Sequence, residues 1–482
     1  MNYGIVTRVL GSLLIVEAAL MLPSYLIAVS NQGPDKIPFL VTIILTAIIG
    51  GLMTRKKSSQ PSIGAKEGLA IVALGWVFAS IMGALPLYLS GSTANYVDAF
   101  FEIVSGFTTT GATILTEIEG LPEGVLFWRS FTHWIGGMGI LVFTLALMPA
   151  LGIGGFQIFK AESPGPVAGK IAPRLRDTAK ILYITYVTIT LAEVALLSIG
   201  GMSIYESFIH TFGTVGTGGF SSRNGSIGDF DSTYIHMVIA FFMVVSGVNF
   251  SLYYSFFRGK PTELLKDEEF RLYIKIIAIA TIAIAIDLWL VSYHNVGYSL
   301  RDAFFQVSSI ITTTAYGTAD FDLWPTFSKG ILLILMFVGA SAGSTGGGMK
   351  IIRILVMMKL VKREVGKLYH PRAMMPIKVN NKVVSNETVA RINSFLALYL
   401  LLFLFSTLLV SLEQVDLVTA GSAVVAALSN IGPGLELVGP TQNFAFFSMP
   451  TKLWLSFLMF LGRLELFTII ALVAPKHWRI DI

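Results

Sequence analysis

Ten runs of apolar residues, near 9–30, 37–54, 69–89, 125–151, 181–200, 233–257, 272–292, 327–358, 394–412 and 451–474, are each long enough to cross a lipid bilayer. A spanning helix needs about 20 predominantly apolar residues. Charge agrees with this reading. Only 13% of the 482 residues are Asp, Glu, Lys or Arg, against roughly 25% in soluble domains. The chain therefore reads as an all-α polytopic membrane protein. Its first run is longer than the roughly 7–15-residue core of a signal peptide, and no clear small-x-small cleavage site follows, so a retained helix is expected. The sequence contains no cysteine, which excludes disulfides and thiolate metal sites.

Basic residues set the expected orientation. Segments 51–67, 159–180, 258–275, 350–391 and 475–482, with Arg8, hold 27 of the 34 Lys and Arg. Intervening loops carry Glu117, Glu119, Glu123, Asp229, Asp231, Asp320, Asp322, Glu413, Asp416 and Glu436. The positive-inside rule makes the basic set cytoplasmic, with both termini inside. The same rule accounts for the net charge of +5, so no nucleic-acid partner is expected.

Four segments on the opposite, acidic side align with one another. "DAFFEIVSGFTTTGA" starts at Asp98, "ESFIHTFGTVGTGGF" at Glu206, "DAFFQVSSIITTTAY" at Asp302 and "TAGSAVVAALSNIGPG" at Thr419. Each begins with an apolar stretch of about ten residues, too short to cross a bilayer. Three open with an acid, favourable at a helix N-terminus, and the fourth with the N-cap former Thr419. Each then runs into threonine and glycine. Non-helical backbone at membrane depth survives only when buried in protein or lining water. The repeating unit is thus helix, re-entrant half-helix, polar loop, helix. Four such loops around a pseudo-fourfold axis would surround a narrow pore with carbonyl and hydroxyl oxygens. Oxygen ligands and the negative ends of the half-helices suit a dehydrated monovalent cation.

This organisation resembles the Trk/Ktr/HKT superfamily of potassium transporters, and within it the bacterial TrkH family. The motifs that carry the resemblance are "TTTGAT" at 108–113, "TVGTGGFS" at 214–221, "ASAGSTGGGMKIIR" at 340–353, "GRLELF" at 462–467 and "SNIGPG" at 429–434. It covers nearly the whole chain and implies a helix pair over 1–66, then pore repeats over 67–158, 159–258, 259–376 and 377–482. A potassium filter is implied at Thr108, Thr109, Thr110 and Gly111; at Gly216, Thr217, Gly218 and Gly219; at Thr312, Thr313, Thr314 and Ala315; and at Ser429, Asn430, Ile431 and Gly432. Ala315 departs from the glycine expected there. Alanine reaches positive φ at greater cost, so a looser quarter, or a register shifted toward Gly317, is the expectation.

Glycine occupies five of the ten positions from 339 to 348. Each costs a helix about 1 kcal/mol, so the 327–358 run should break into Phe327–Val338 and Met349–Glu364. Close helix packing by small residues is one reason for such glycines. A movable constriction is the other, and the resemblance implies a gate here, formed by Gly339, Gly343, Ser344, Thr345, Gly346, Gly347, Gly348 and Lys350. Arg463 lies eleven residues past Lys452, about 16 Å along a helix, deep in the bilayer, where an ionisable group faces a bundle interior or cavity. The resemblance places it in the pore below the filter. A structural ion pair with Glu193, Asp287 or another buried acid is the alternative. Glu465, two residues on, points elsewhere on a helix. Glu17, Glu193 and Asp287 are assigned no function.

Two rival classes were weighed. "GASAG" at 339–343 fits G-x-S-x-G, with His133, His210 or His236 as base, but a hydrolase elbow needs a strand–turn–helix context. Lys350 also lacks P-loop spacing. An alternating-access carrier would show inverted repeats with a midplane site, whereas these repeats are parallel. The expected activity is uptake of potassium, and of rubidium, across the bacterial inner membrane, with no enzymatic role. No cofactor is expected in this chain. The resemblance implies a homodimer and a TrkA-like cytosolic nucleotide-binding ring as partners. The basic 350–391 segment is suited to lipid headgroups or to docking such a partner.

Overall fold

The computed structural model describes residues 2–56, 64–139, 175–257, 259 and 261–473. The expected run over 125–151 from residue 140 on, most of the basic segment 159–180 and the tail 475–482 lie outside the described residues.

The described chain is mostly helical. Tyr3–Leu20 and Leu22–Ser30 form one 28-residue span, stepped where Pro23 enters the first turn of the second piece. Lys36–Thr54 packs against it. A Cβ on Gly11 would lie 2.6 Å from the Gly50 carbonyl oxygen, so glycine at this crossing lets the two backbones touch. That is how helices associate where lipid removes the hydrophobic drive.

Each repeat opens with a long helix: Ala65–Leu89, Leu175–Ile199, Glu268–Leu288 and Asn386–Val410. A short pore helix follows in each, Tyr96–Phe107, Ile204–Gly216, Val296–Ile311 and Leu417–Ser429. The caps differ from expectation. Asn95, Ser203, Asn295 and Asp416 are the N-caps, each accepting from the backbone N–H three residues on. Thr419 is therefore inside its helix, donating to the Asp416 carboxylate at 2.5 Å. The third helix starts at Val296, so Asp302 sits past its first turn and not at its N-terminus.

The second half is interrupted in the second, third and fourth repeats, not the third alone, and in the first the described outer helix ends early. Glu123–Gly137 stops before Gly139, whose φ is +77°. Thr233–Ser246 and Phe250–Phe257 meet at 95°, with Asn249 Oδ1 accepting from the Ser251 N–H at 2.9 Å. Thr326–Val338 gives way to the loop 339–350 before Ile351–Tyr369. Met449–Arg463 breaks before Leu466–Val473 at Glu465, φ +58°. Hydropathy gives no sign of the breaks in the second and fourth repeats because one or two polar residues barely alter a window average. Six described helices are long and apolar enough to span, or seven if the bent pair is one span. The ten expected crossings thus include broken ones. Among the described residues the one non-helical element is a hairpin, Lys378–Val379 with Lys382–Val383, turned by Asn380 and Asn381 at positive φ, as a two-residue hairpin requires.

Candidate functional site: four loops closed from below

The four pore helices end in one shared local structure. At Thr109, Thr217, Thr313 and Asn430 the backbone turns left-handed, with φ between +54° and +60°. The N–H of the next residue then reaches back five residues. Thr110 N bonds Ser105 O at 2.8 Å, Gly218 N bonds Gly213 O at 2.8 Å, Thr314 N bonds Ser309 O at 2.9 Å and Ile431 N bonds Ala426 O at 2.9 Å. This is a helix C-cap closed by a 6→1 bond. It spends one loop N–H in each repeat on the end of its own pore helix.

A second left-handed position follows two residues later in each loop: Gly111 at +83°, Gly219 at +77°, Ala315 at +70° and Gly432 at +103°. Ala315 thus keeps register with the glycines, and Gly317 is not among the positive-φ residues. Adjacent loops press together there. A Cβ on Gly111 would stand 2.0 Å from the Gly218 oxygen, and one on Gly219 would stand 1.9 Å from the Thr314 oxygen. The Ala315 methyl lies 3.0 Å from where a Gly432 Cβ would be. Above these four residues opens a cavity of about 130 Å³.

Threonine hydroxyls serve a role the sequence did not specify. Thr108 Oγ1 donates to Val104 O at 2.6 Å and lies 2.8 Å from Thr110 Oγ1. Thr312 and Thr314 repeat the pattern. These hydroxyls brace the loops from behind, and Asn430 Nδ2 donates to Thr110 Oγ1 at 3.0 Å across a seam.

The glycine-rich loop lies against the inner side of these segments. Gly347 N donates to Thr313 Oγ1 at 2.7 Å and Gly348 N to Ser429 O at 2.9 Å. A Cβ on Gly347 would meet Ser429 O at 2.1 Å, and one on Gly346 would meet Thr312 O at 2.8 Å. Close approach therefore explains Gly346 and Gly347. Gly339, Gly343 and Gly348 are needed instead for φ of +71° to +74°. Lys350, itself at φ +72°, is buried with its ammonium on Gly346 O. Ser344 Oγ donates to Ser341 O at 2.6 Å, and Thr345 Oγ1 to Ser246 O at 3.2 Å. Glu269 Oε1 accepts from both Ala342 N at 2.7 Å and Ile352 N at 3.1 Å, pinning the two ends of the loop.

Arg463 joins the loop to the rest. Its guanidinium donates to Thr345 O at 2.8 Å, Gly136 O at 2.5 Å, Gly137 O at 2.9 Å and Thr109 Oγ1 at 3.2 Å. Of the acids considered as its partner, Asp287 accepts from Ser328 Oγ at 2.6 Å. Glu465 pairs with Arg353 at 2.6 Å.

The hydrolase reading has no support in this geometry. Ser341 Oγ is buried without a hydrogen-bond partner. His133 holds Gly106 O, His210 holds Glu206 O and His236 holds Phe230 O. Sequence reasoning missed several buried contacts. Lys452 pairs with Asp98 at 2.7 Å, and Tyr316 Oη donates to His210 O at 2.9 Å. Glu102 pairs with Arg129 at 2.5 Å. Arg129 stood as a charge inside an apolar run, a signal that was available.

A family profile described as "TrkH: Cation transport protein" matches residues 36–480. The chain belongs to the TrkH family. It is therefore a multi-pass cation transporter and not an enzyme. The Trk system potassium uptake protein TrkH of Salmonella typhimurium is 38% identical over 99% of this chain and 100% of that protein. The TrkG protein of Escherichia coli K12, also a Trk system potassium uptake protein, is 33% identical over 98% of each. The crystal structure of the potassium transporter TrkH from Vibrio parahaemolyticus superposes with a TM-score of 0.89 at 34% identity, covering 99% of this chain and 100% of that one. The TrkH fold includes the four repeats deduced from the aligned segments.

Proposed function

We propose that this chain carries potassium, and rubidium, across the bacterial inner membrane by channel-like conduction. Its filter is formed by 108–111, 216–219, 312–315 and 429–432. The observation that carries this reading is the fourfold recurrence of one backbone form: a 6→1 cap, then a second left-handed residue, with loop N–H groups spent on the helix ends. Carbonyl oxygens so exposed replace the hydration shell of a monovalent cation. Arg463 and the loop from Gly339 to Lys350 act as the gate, since their hydrogen bonds tie the pore helices of three repeats together from below.

The units 1–66, 67–158, 159–258, 259–376 and 377–482 serve as the helix pair and the four pore repeats. Both termini are cytoplasmic by the positive-inside rule. The names of the relatives support a place in a Trk system. A homodimer regulated by a cytosolic nucleotide-binding ring follows from that resemblance, with no nucleotide site in this chain. Flux into proteoliposomes holding the purified chain tests the central reading. Potassium and rubidium should enter well ahead of sodium; equal entry of all three would refute it.

A further inference from the structure

Glu102 and Arg129 are 0% and 1% exposed, a full ion pair sealed behind the pore. Burying such a pair is poor evidence for stability, because desolvation consumes most of the attraction. Its contacts point to a geometric role instead. Glu102 Oε1 accepts from Arg129 Nε at 2.5 Å and from Thr113 Oγ1 at 2.9 Å, and Oε2 accepts from Ile114 N at 3.0 Å. Arg129 Nη1 donates to Ser221 O at 3.0 Å, and its guanidinium lies 3.7 Å from the centroid of the Phe220 ring.

These partners are not scattered. Thr113 and Ile114 follow Gly111 in the first loop, and Phe220 and Ser221 follow Gly219 in the second. One ion pair therefore holds the outgoing limbs of two neighbouring loops. His133, one turn past Arg129, repeats the link. It donates from Nδ1 to Gly106 O at 2.8 Å and accepts the Phe220 N–H at Nε2, 3.2 Å away.

We propose that the Glu102–Arg129 pair is a positioning element of the cation filter, fixing the spacing between its first and second loops and so its preference for the larger potassium ion over sodium. The proposal rests on the filter reading above. A carbonyl cage favours sodium when its walls can close around the smaller ion. A fork of planar donors resists that closure more stiffly than a flexible ammonium would.

The test uses the full chain in proteoliposomes. It measures potassium-to-sodium flux ratios for E102Q/R129Q, R129K, G219S and the surface control R391Q, each with its thermal unfolding midpoint. E102Q/R129Q leaves no lone buried charge; R129K keeps the charge and loses the fork, should the double variant fail to fold. A severalfold fall in the ratio for the folded strut variants, with R391Q unchanged, is the expected result. A wild-type ratio in folded R129K and E102Q/R129Q, while G219S loses selectivity, overturns the strut and spares the filter. A wild-type ratio in all of them overturns both.

Discussion

Asn430 donates to Thr110 Oγ1 across 3.0 Å, joining residues 320 positions apart in the chain. The same Nδ2 lies 2.9 Å from the Met459 carbonyl oxygen. The fourth loop is thus fastened at once to the first loop and to the helix that carries Arg463. The proposed filter and the proposed gate therefore share parts, and several measurable outcomes follow from how they are joined.

Serine in place of Gly219 or Gly111 should lower the preference for potassium over sodium. A side chain at either position would stand 1.9 or 2.0 Å from a neighbouring loop's carbonyl oxygen, at φ of +77° or +83°. The loops must separate to admit it, which alters the oxygen cage. Ion flux reads the change; unaltered selectivity in both variants removes these loops from the filter.

Arg463→Ala should raise potassium flux severalfold. At about 6 Å and an effective dielectric near 20, a guanidinium repels a cation by roughly 3 kcal/mol, about a hundredfold in rate before water screens it. Its loss also unties Thr345 from Gly136 and Gly137. Flux per folded protein and thermal unfolding are measured together. A variant that is destabilised and no faster points to a structural role instead.

Deleting residues 344–348 should raise basal cation flux without changing which ion is preferred. The loop bonds the inner side of the filter segments through Thr313 and Ser429. Flux that is unchanged in a folded deletion would favour simple packing.

Lys452→Met should destabilise the fold by about 3–5 kcal/mol, because it strands a buried carboxylate at Asp98. Adding Asp98→Asn should restore much of that loss. Equal unfolding midpoints for the single and double variants would contradict the buried pair, 2.7 Å apart.

Outside the membrane, Asp322 supplies a pH dependence. Burial pushes its carboxyl up to about 6, with the Glu436 N–H opposing and the Glu436 charge adding to the rise. A carboxyl raised above its ordinary value of about 3.9 contributes stability that is complete below that pH and lost as pH climbs through about 6. Asp322→Asn should therefore flatten the unfolding midpoint across this window and stabilise the protein above it. An unchanged slope in the variant argues against Asp322 as its source.

The repeats were legible because each pore helix keeps an apolar stretch of fixed length ahead of a threonine–glycine turn, so the chain aligns with itself. The loop from 339 to 350 was legible from glycine density. Helix caps were not. Asn95 and Asn295 lie upstream of the aligned motif, where the repeats no longer look alike. The breaks at Gly247 and Glu465 escaped for a different reason. Their surroundings are tertiary, and no local pattern announces them: the Tyr273 hydroxyl lies 2.3 Å from where a Gly247 Cβ would sit, and Glu465 pairs with Arg353. Ala315 shows the converse: departing from the family's glycine, it carried the expectation of a looser quarter or a register shifted toward Gly317, and the backbone keeps the glycines' register at φ +70°.

The interrupted second helices carry a mechanical consequence. An unbroken helix transmits torque along its length, so a push at its cytoplasmic end would twist the selective loops as well. Discontinuities after Ser246, Val338 and Arg463 act as slip joints in that drive train. If Arg463 and the 339–350 loop gate the pathway as proposed, opening it need not twist the loops that choose the ion.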